Sequence, residues 1–452
     1  MLKNLLLLAF ISCVFCKEYY TVVFDAGSSG TRVYIYKIKQ RINLLPEIKL
    51  VINHKETPGI DDKNIEDVES YLESFTRIIK DNVPDNFKKF TKIHFLATAG
   101  MRLSKKTEAH RKLDRVRKVL RNLKPFPYDK SNVRIMSGEE EGAYTWVATN
   151  YLTKQLENAN KSQTIGIVEM GGASSQIAFL KEGNILANFF QAQIGLKQFP
   201  LYSHSYLHYG KDKALEWIRS YLMRKHKKGI IEDPCMVEGT DDGKEFRVAN
   251  RTFKAKPNYE ECVRLINYFI YEAPDDRCYP TPCAIGTTYQ PKPDENMKFY
   301  TLATFFWSLK NLKLHDQREN VKDYDQATFT IENVKQKIRK YFNDSDPFKE
   351  LERNPKFPLR KELFSSLYAI ELLTDGLNFK EDRVFTAVSK IGDHSIDWTL
   401  GLALRLADFK ICDQKSTQIH LLKQGGTLIF PSVGLLLICL ITAYAFTKNT
   451  LL

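Results

Sequence analysis

The stretch TIGIVEMGGASSQIAFL, residues 164–180, ends an apolar run on a single carboxylate, Glu169, and follows it with Gly171 and Gly172. Ser174, Ser175 and a second apolar run come next. Buried strands rarely end on an unpaired acid, and adjacent glycines mark a turn where backbone approaches something closely. The chain does nearly the same thing at residues 21–37, TVVFDAGSSGTRVYIYK. There Asp25 matches Glu169, Gly27 matches Gly171, and Ser28, Ser29 and Thr31 answer Ser174 and Ser175. Each copy reads as a β-hairpin with a glycine-rich tip, where backbone N–H groups form an anion-binding nest. Hydroxyls add donors for phosphate oxygens, and an acid at the strand end holds a metal through its water shell. Two copies predict two half-sites facing one phosphate.

Working outward, strands and helices alternate through the first half. The spacing predicts helices over 65–82 and 107–122, a strand over 92–102, and strand, turn, helix over 133–152. The second half reads as more helical, with helices over 211–226, 298–312, 329–342 and 361–376. Alternating βα units argue for α/β sheets. The two hairpins argue for two such sheets with a cleft between them. At 452 residues, 43% apolar and 27% charged, the chain is globular and long enough for two domains. The net charge of +13 is spread without a strong basic block, so it favours polyanionic small molecules and gives no case for nucleic acid.

The ends and the cysteines point to one compartment. Residues 1–16, MLKNLLLLAFISCVFC, have signal-peptide form. LIFPSVGLLLICLITAYAF, residues 428–446, has the length and apolarity of a transmembrane helix. Between them lie Cys235, Cys262, Cys278, Cys283 and Cys412. No His stands at zinc-ligand spacing, and a secretory context favours disulfides. CYPTPC (278–283) is a natural short loop to close, and Cys235 with Cys262 brackets another, but connectivity stays open and Cys412 is left over. Sequons stand at Asn160, Asn250 and Asn343. The expectation is a lumenal or extracellular domain on a single C-terminal membrane anchor.

Two further constellations carry chemistry. TAGMR (98–102) puts Thr98, Ala99 and Arg102 at the C-terminal end of a strand, where ligands of open α/β sheets gather. SGEEEGAYTW (137–146) opens a helix with three acids. Glu139 and Glu140 read as acids suited to a capped helix start. Glu141 differs, because Gly142 leaves the backbone beside it open. Hydrolysis of a phosphate needs a positioned water, a base, a metal and donors around the phosphoryl oxygens. Asp25, Glu169, Glu141, Thr98 and the serine loops supply that inventory.

DAGSSGTR, TAGMR, SGEEEGAYTWVATNYL and MGGASSQIAF, in that order, resemble the apyrase conserved regions of the GDA1/CD39 family of nucleoside triphosphate diphosphohydrolases. YSHSYLHYGKDKAL (202–215), PCAIGTTYQP (282–291) and KIGDHSIDWTLGLAL (390–404) agree with it. The resemblance implies an α/β fold of two actin-like (ribonuclease H-like) domains with nucleotide in the cleft between them. Domain I takes residues 17–137, completed by 390–420, and domain II takes 138–389. It implies Ca²⁺- or Mg²⁺-dependent removal of terminal phosphates from nucleoside tri- and diphosphates. Glu141 is then the base for the attacking water, and Asp25 and Glu169 hold the metal's water shell beside Trp398. Ser28, Ser29, Gly30 and Thr31, with Gly172, Ala173, Ser174 and Gln176, cradle phosphates. Thr98 and Ala99 line the reaction centre, Arg102 supports its edge, and Tyr368 falls where the family places a base-stacking aromatic; an aromatic on a helix's core face is the other reading of Tyr368.

One departure stands out. The family normally has Asp where this chain has Glu169, which reaches one methylene further and must retract or displace the metal. Placement errors near 1 Å cost about a hundredfold in rate. The alternative to an enzyme is therefore a nucleotide-binding receptor or adhesion module with little turnover, and Glu169 is its one support.

Overall fold

The computed structural model describes residues 18–41, 44–158, 161–237, 245–271, 277–314, 325–343 and 359–407. The segments 1–16 and 428–446, Cys412 and Asn160 lie outside them. Among the described residues no helix is long and apolar enough to cross a membrane.

The first sheet is built from β1 (Glu18–Gly27), β2 (Gly30–Lys39), β3 (Glu47–Glu56), β4 (Lys92–Ala97) and β5 (Val133–Ile135). Its order is β3-β2-β1-β4-β5. β1 and β2 form the antiparallel hairpin that the sequence predicts, and β4 and β5 join in parallel. β1 is central, so both its faces are covered and Val22, Val23 and Phe24 run consecutively with no exposure. β3 lies at the edge and alternates Glu47 out, Ile48 in, Lys49 out.

The second sheet takes β6 (Gly166–Met170), β7 (Ser174–Leu180), β8 (Phe189–Ile194) and β9 (Lys197–Leu207). After the small separate sheet of β10 (Ile231–Asp233), β11 (Glu245–Val248) and β12 (Arg251–Ala255) it adds β13 (Phe299–Ala303), β14 (Gln326–Thr330) and β15 (Val384–Val388). Its order is β14-β15-β13-β6-β7-β9-β8, with β6 and β7 forming the second predicted hairpin. Each sheet has its own hydrophobic core, around Phe24, Phe75 and Phe95 in one and around Phe179, Phe299 and Phe385 in the other.

Three boundaries differ from the sequence reading. The helix expected over 298–312 is a strand until Ala303, because aromatic and β-branched FYTLA fills the slot beside β6. Ala303 then turns with φ 57°, and the helix runs Thr304–Asn311. The strand expected over 92–102 stops at Ala97, and Ala99–Leu103 is a helical turn with Thr98 at its N-cap. The helix expected over 65–82 comes in two pieces, Val68–Tyr71 and Glu73–Asn82.

The helix Gly138–Leu152 carries Glu141. Ser137 and Glu140 close a capping box at its start. Trp146, Val147 and Ala148 are buried around its circumference, as a helix covered on all sides requires. One side lies on β7 and β9, and the other meets the helix Trp398–Leu406. Gly401 allows that second contact, since a Cβ there would collide with the Tyr144 carbonyl.

Disulfides join Cys235 to Cys262 and Cys278 to Cys283. Such bonds fit an oxidising compartment. Asn250, in a turn, and Asn343, at a helix end, are both exposed.

Candidate functional site

The two hairpin tips meet. A Cβ placed on Gly172 would lie 3.5 Å from Ser28 Oγ, so the two glycine loops are in van der Waals reach of each other. The first tip is a two-residue turn, Ser28-Ser29, closed by the pair Gly27–Gly30. Gly30 has φ +151°, and a Cβ there would strike the Glu56 carbonyl oxygen, so the position demands glycine. The second tip is longer, running from Gly171 to Ser174 between Met170 and Ser175. Its carbonyls accept from the start of the next helix, Lys211 to Gly171 at 3.0 Å and Asp212 to Gly172 at 3.0 Å. That pins the loop from behind.

Asp25 and Glu169 occupy equivalent places near the ends of the two central strands. Asp25 pairs across its hairpin with Arg32, whose Nη1 donates to the carboxylate at 3.3 Å. The Trp398 indole also donates to Asp25. Burial raises the Asp25 pKa, and Arg32 and Trp398 oppose that rise. Glu169 pairs across its hairpin with Gln176, but the amide turns away, donating to Ser174 Oγ at 2.7 Å and Ser205 Oγ at 3.0 Å. The Glu169 carboxylate instead accepts from Thr145 Oγ1 at 3.0 Å. Burial pushes its pKa up to about 8; the charges of Glu141, Asp25 and Asp397 add to the rise and Thr145 opposes it.

Glu141 lies in the first turn of the 138–152 helix, nearly buried, with Arg102 Nη2 at 2.6 Å from Oε2. Arg102 also donates to Ser174 Oγ at 3.4 Å, so one guanidinium joins the helix, the second glycine loop and the turn after β4. Burial raises the Glu141 pKa to about 7, opposed by Arg102 and reinforced by Asp25 and Glu139. Gly142 lets the helix settle on the second sheet, where an added Cβ would lie 3.0 Å from Ser203 Oγ. Thr98 closes the floor: its N–H donates to the Ala26 carbonyl at 3.1 Å, and Ala99 is buried beside it.

The structure therefore gathers Asp25, Ser28, Thr98, Arg102, Glu141, Glu169, Gly172, Ser174, Gln176 and Trp398 around one point. Ser29 is exposed at the first tip, and Ala173 is buried in the second. Two expected residues fall elsewhere. Tyr368 has no exposed surface: its ring stacks on Phe364 at 5.9 Å and its hydroxyl donates to the Tyr209 carbonyl at 2.9 Å. It is a core residue, with no face open to a base. Thr31 is also fully buried, in the ladder with Glu56 of β3, so it supports the loop from beneath.

Sequence reasoning missed three contributors. Asp397 caps the 398–406 helix by accepting from Thr399 N at 2.9 Å, and its charge acts on both Asp25 and Glu169. Burial pushes its pKa up to about 6. Lys55 lies beside Gly30 and feels Asp25. Thr145 is the third. An acid before an apolar helix was the available signal for Asp397; the other two had none.

Four carboxylates, the buried Glu141 and the half-buried Asp25, Glu169 and Asp397, thus share the site, and among the described residues guanidinium partners reach Asp25 and Glu141 alone of the four. This excess negative charge among partly desolvated groups is the electrostatic demand that a divalent cation meets. Among the described residues no three His, Cys, Asp or Glu side chains converge to ligate an ion directly. The donor set fits an ion carried with its water shell.

The model of the GDA1/CD39 (nucleoside phosphatase) family matches residues 15–420. Probable apyrase 3 of Arabidopsis thaliana is 28% identical over 412 residues, covering 85% of this chain and 82% of that protein. Ectonucleoside triphosphate diphosphohydrolase 1 of Rattus norvegicus is 28% identical over 447 residues, covering 87% and 82%. Guanosine-diphosphatase of Schizosaccharomyces pombe is 26% identical over 429 residues, covering 86% and 73%. Among solved structures, nucleoside triphosphate hydrolases from Neospora caninum match with a TM-score of 0.59 at 14% identity, covering 89% of this chain and 95% of that one.

Proposed function

The chain belongs to the GDA1/CD39 nucleoside phosphatase family and is a nucleoside phosphate hydrolase, and from that premise we propose that it removes the terminal phosphate of nucleoside tri- and diphosphates by cation-dependent attack of a water held by Glu141. The observation that carries this reading is Glu141 itself. It is a buried carboxylate at a helix start, bonded to Arg102, which also reaches Ser174 of the second glycine loop, and it feels the charge of Asp25 beside the first.

The polyphosphate lies between the tips, where Ser28, Ser29 and the Gly30 N–H meet one side and Gly172, Ala173 and Ser174 the other. Asp25 and Glu169, with Trp398 beside them, would hold the water shell of a Ca²⁺ or Mg²⁺, which would supply charge neutralisation at the phosphate oxygens. Glu141 accepts one proton as the water oxygen bonds to the terminal phosphorus, and the bond to the bridging oxygen breaks. The electron pair leaves with the shortened nucleotide, and inorganic phosphate is the second product. Arg102 opposes the protonation that burial favours at Glu141 and steadies Ser174. Gln176 fixes Ser174 in the same way from β7. No covalent phosphoenzyme is required. We place the fold's two sheets in two actin-like domains, 17–137 with 390–420 and 138–389, and the chain in the secretory pathway, anchored through 428–446.

The test is phosphate release by the full chain from ATP, ADP, UDP and GDP, with Ca²⁺, Mg²⁺ or EDTA. The reading expects release with either cation, none in EDTA, and a loss of about 10²–10⁴-fold in Glu141→Gln. Tight nucleotide binding without release, by contrast, identifies a binding module.

A further inference from the structure

The extra methylene of Glu169 needs a restraint that Asp25 obtains from its own hairpin. Asp25 faces Arg32 directly across β1–β2. Glu169 faces Gln176, whose amide is engaged with Ser174 and Ser205. A glutamate also has one more rotatable bond to immobilise than an aspartate, and ordering it costs entropy. The side chain is nevertheless held, and the group at its carboxylate is Thr145 Oγ1.

Thr145 is well made for this task. It has no exposed surface and is β-branched, so its χ1 is restricted within a helix. It stands four residues after Glu141, one turn along the same helix, and its hydroxyl lies 2.9 Å from the Glu141 carbonyl. A hydroxyl has one proton, so Thr145 serves either the carbonyl or the carboxylate at a given moment. The carbonyl also accepts the ordinary helical N–H, whereas the carboxylate has a greater need of a donor.

Building on the proposed hydrolase reading, we infer that Thr145 is a positioning residue that draws the long Glu169 side chain back toward the helix bearing Glu141, so that a glutamate does the work of a shorter acid. The hydroxyl sets how far the carboxylate extends toward the cation's water shell. It also ties that distance to the position of the base, because both are measured from one helix. An aspartate at 169 would fall short of Thr145 and owe it nothing.

A double-mutant cycle on the full chain tests this, read by Ca²⁺ binding in calorimetry alongside phosphate release. Thr145→Val removes the hydroxyl at constant shape, and Thr145→Ser keeps it. The expected result is Ca²⁺ affinity weakened about tenfold in Thr145→Val, the lower end of what loss of an outer-shell hydrogen bond costs a metal site. Thr145→Ser should stay within about twofold of the parent, and the KM for nucleotide at saturating Ca²⁺ should not move. In a Glu169→Asp background, adding Thr145→Val should change Ca²⁺ affinity less than about twofold, since the partners no longer meet. Equal damage from Val and Ser, or equal damage from Val in both backgrounds, overturns the assignment and makes Thr145 a packing residue. The outcomes separate from the parent reading. Ca²⁺ binding with the expected cycle but no phosphate release sinks the hydrolase and keeps Thr145. Release with an additive cycle does the reverse, and no Ca²⁺ binding at all removes both.

Discussion

The two hairpins share a plan and differ in how they hold their acid. In β1–β2 the restraint is internal: Arg32 answers Asp25 in register, and the turn between them is only two residues long. In β6–β7 it is external. Gln176 answers Glu169 in register but serves the serines, the turn is longer, and the acid is held by Thr145 on a separate helix. A repeated sequence pattern therefore assigns equivalent positions without assigning equivalent partners. The first half-site takes its ion-pair partner from its own hairpin, with the Trp398 indole added from the 398–406 helix. The second depends on correct docking of the 138–152 helix.

That contrast can be broken by substitution. Glu141→Gln is the largest expected effect, removing the base shared by both halves, with the 10²–10⁴-fold loss already stated. Asp25→Asn and Glu169→Gln should come next, each weakening cation binding, by about 10–100-fold for loss of an oxygen that holds the cation's water. Asp25→Asn should also cost stability, because half-buried Arg32 loses its ionic partner. Comparing the thermal midpoints of the two variants in EDTA checks this: Asp25→Asn should melt lower than Glu169→Gln.

The halves should also respond differently to pH. In the cation-free protein Glu169 has a pKa near 8, against an ordinary glutamate value of 4.5. Between those values the unfolded chain has released a proton that the native state retains, so the unfolded state is favoured by rising pH. Stability in EDTA should therefore fall as pH climbs from about 4.5 to about 8. Glu169→Gln should lessen that fall, to which Glu141, Asp397 and Glu371 also contribute, and chemical denaturation at several pH values measures it. A wild-type chain as stable at pH 8 as at pH 5 in EDTA would contradict the electrostatic account of the site. The smallest effect belongs to the donors. Ser28→Ala and Ser174→Ala should each raise KM for nucleotide a fewfold, Ser174→Ala more, since Arg102 and Gln176 both rest on it.

Much of this was legible because it depends on short-range patterning. Apolar runs broken by acid and glycine fixed both hairpins, and SGEEEG located Glu141 at a helix start. What stayed hidden depends on tertiary neighbours. Thr145 reads as an ordinary helix residue until β6 is laid against it. Asp397 joins the site only because its helix packs on the 138–152 helix through Gly401. Tyr368 errs the other way: aromatic spacing alone does not distinguish a ligand-facing ring from one stacked on Phe364 in the core. FYTLA became a strand because β6 offered it a partner, a tertiary override of the helical spacing read over 298–312.

The central claim is that a water held by Glu141, between unequal half-sites, attacks the terminal phosphorus. Hydrolysis of ATP by the full chain in ¹⁸O-labelled water with Ca²⁺ tests it most directly. The account predicts the heavy oxygen in inorganic phosphate and none in the nucleotide product, with labelling lost in Glu141→Gln. Label recovered in the nucleotide, or undiminished phosphate labelling without Glu141, would contradict it.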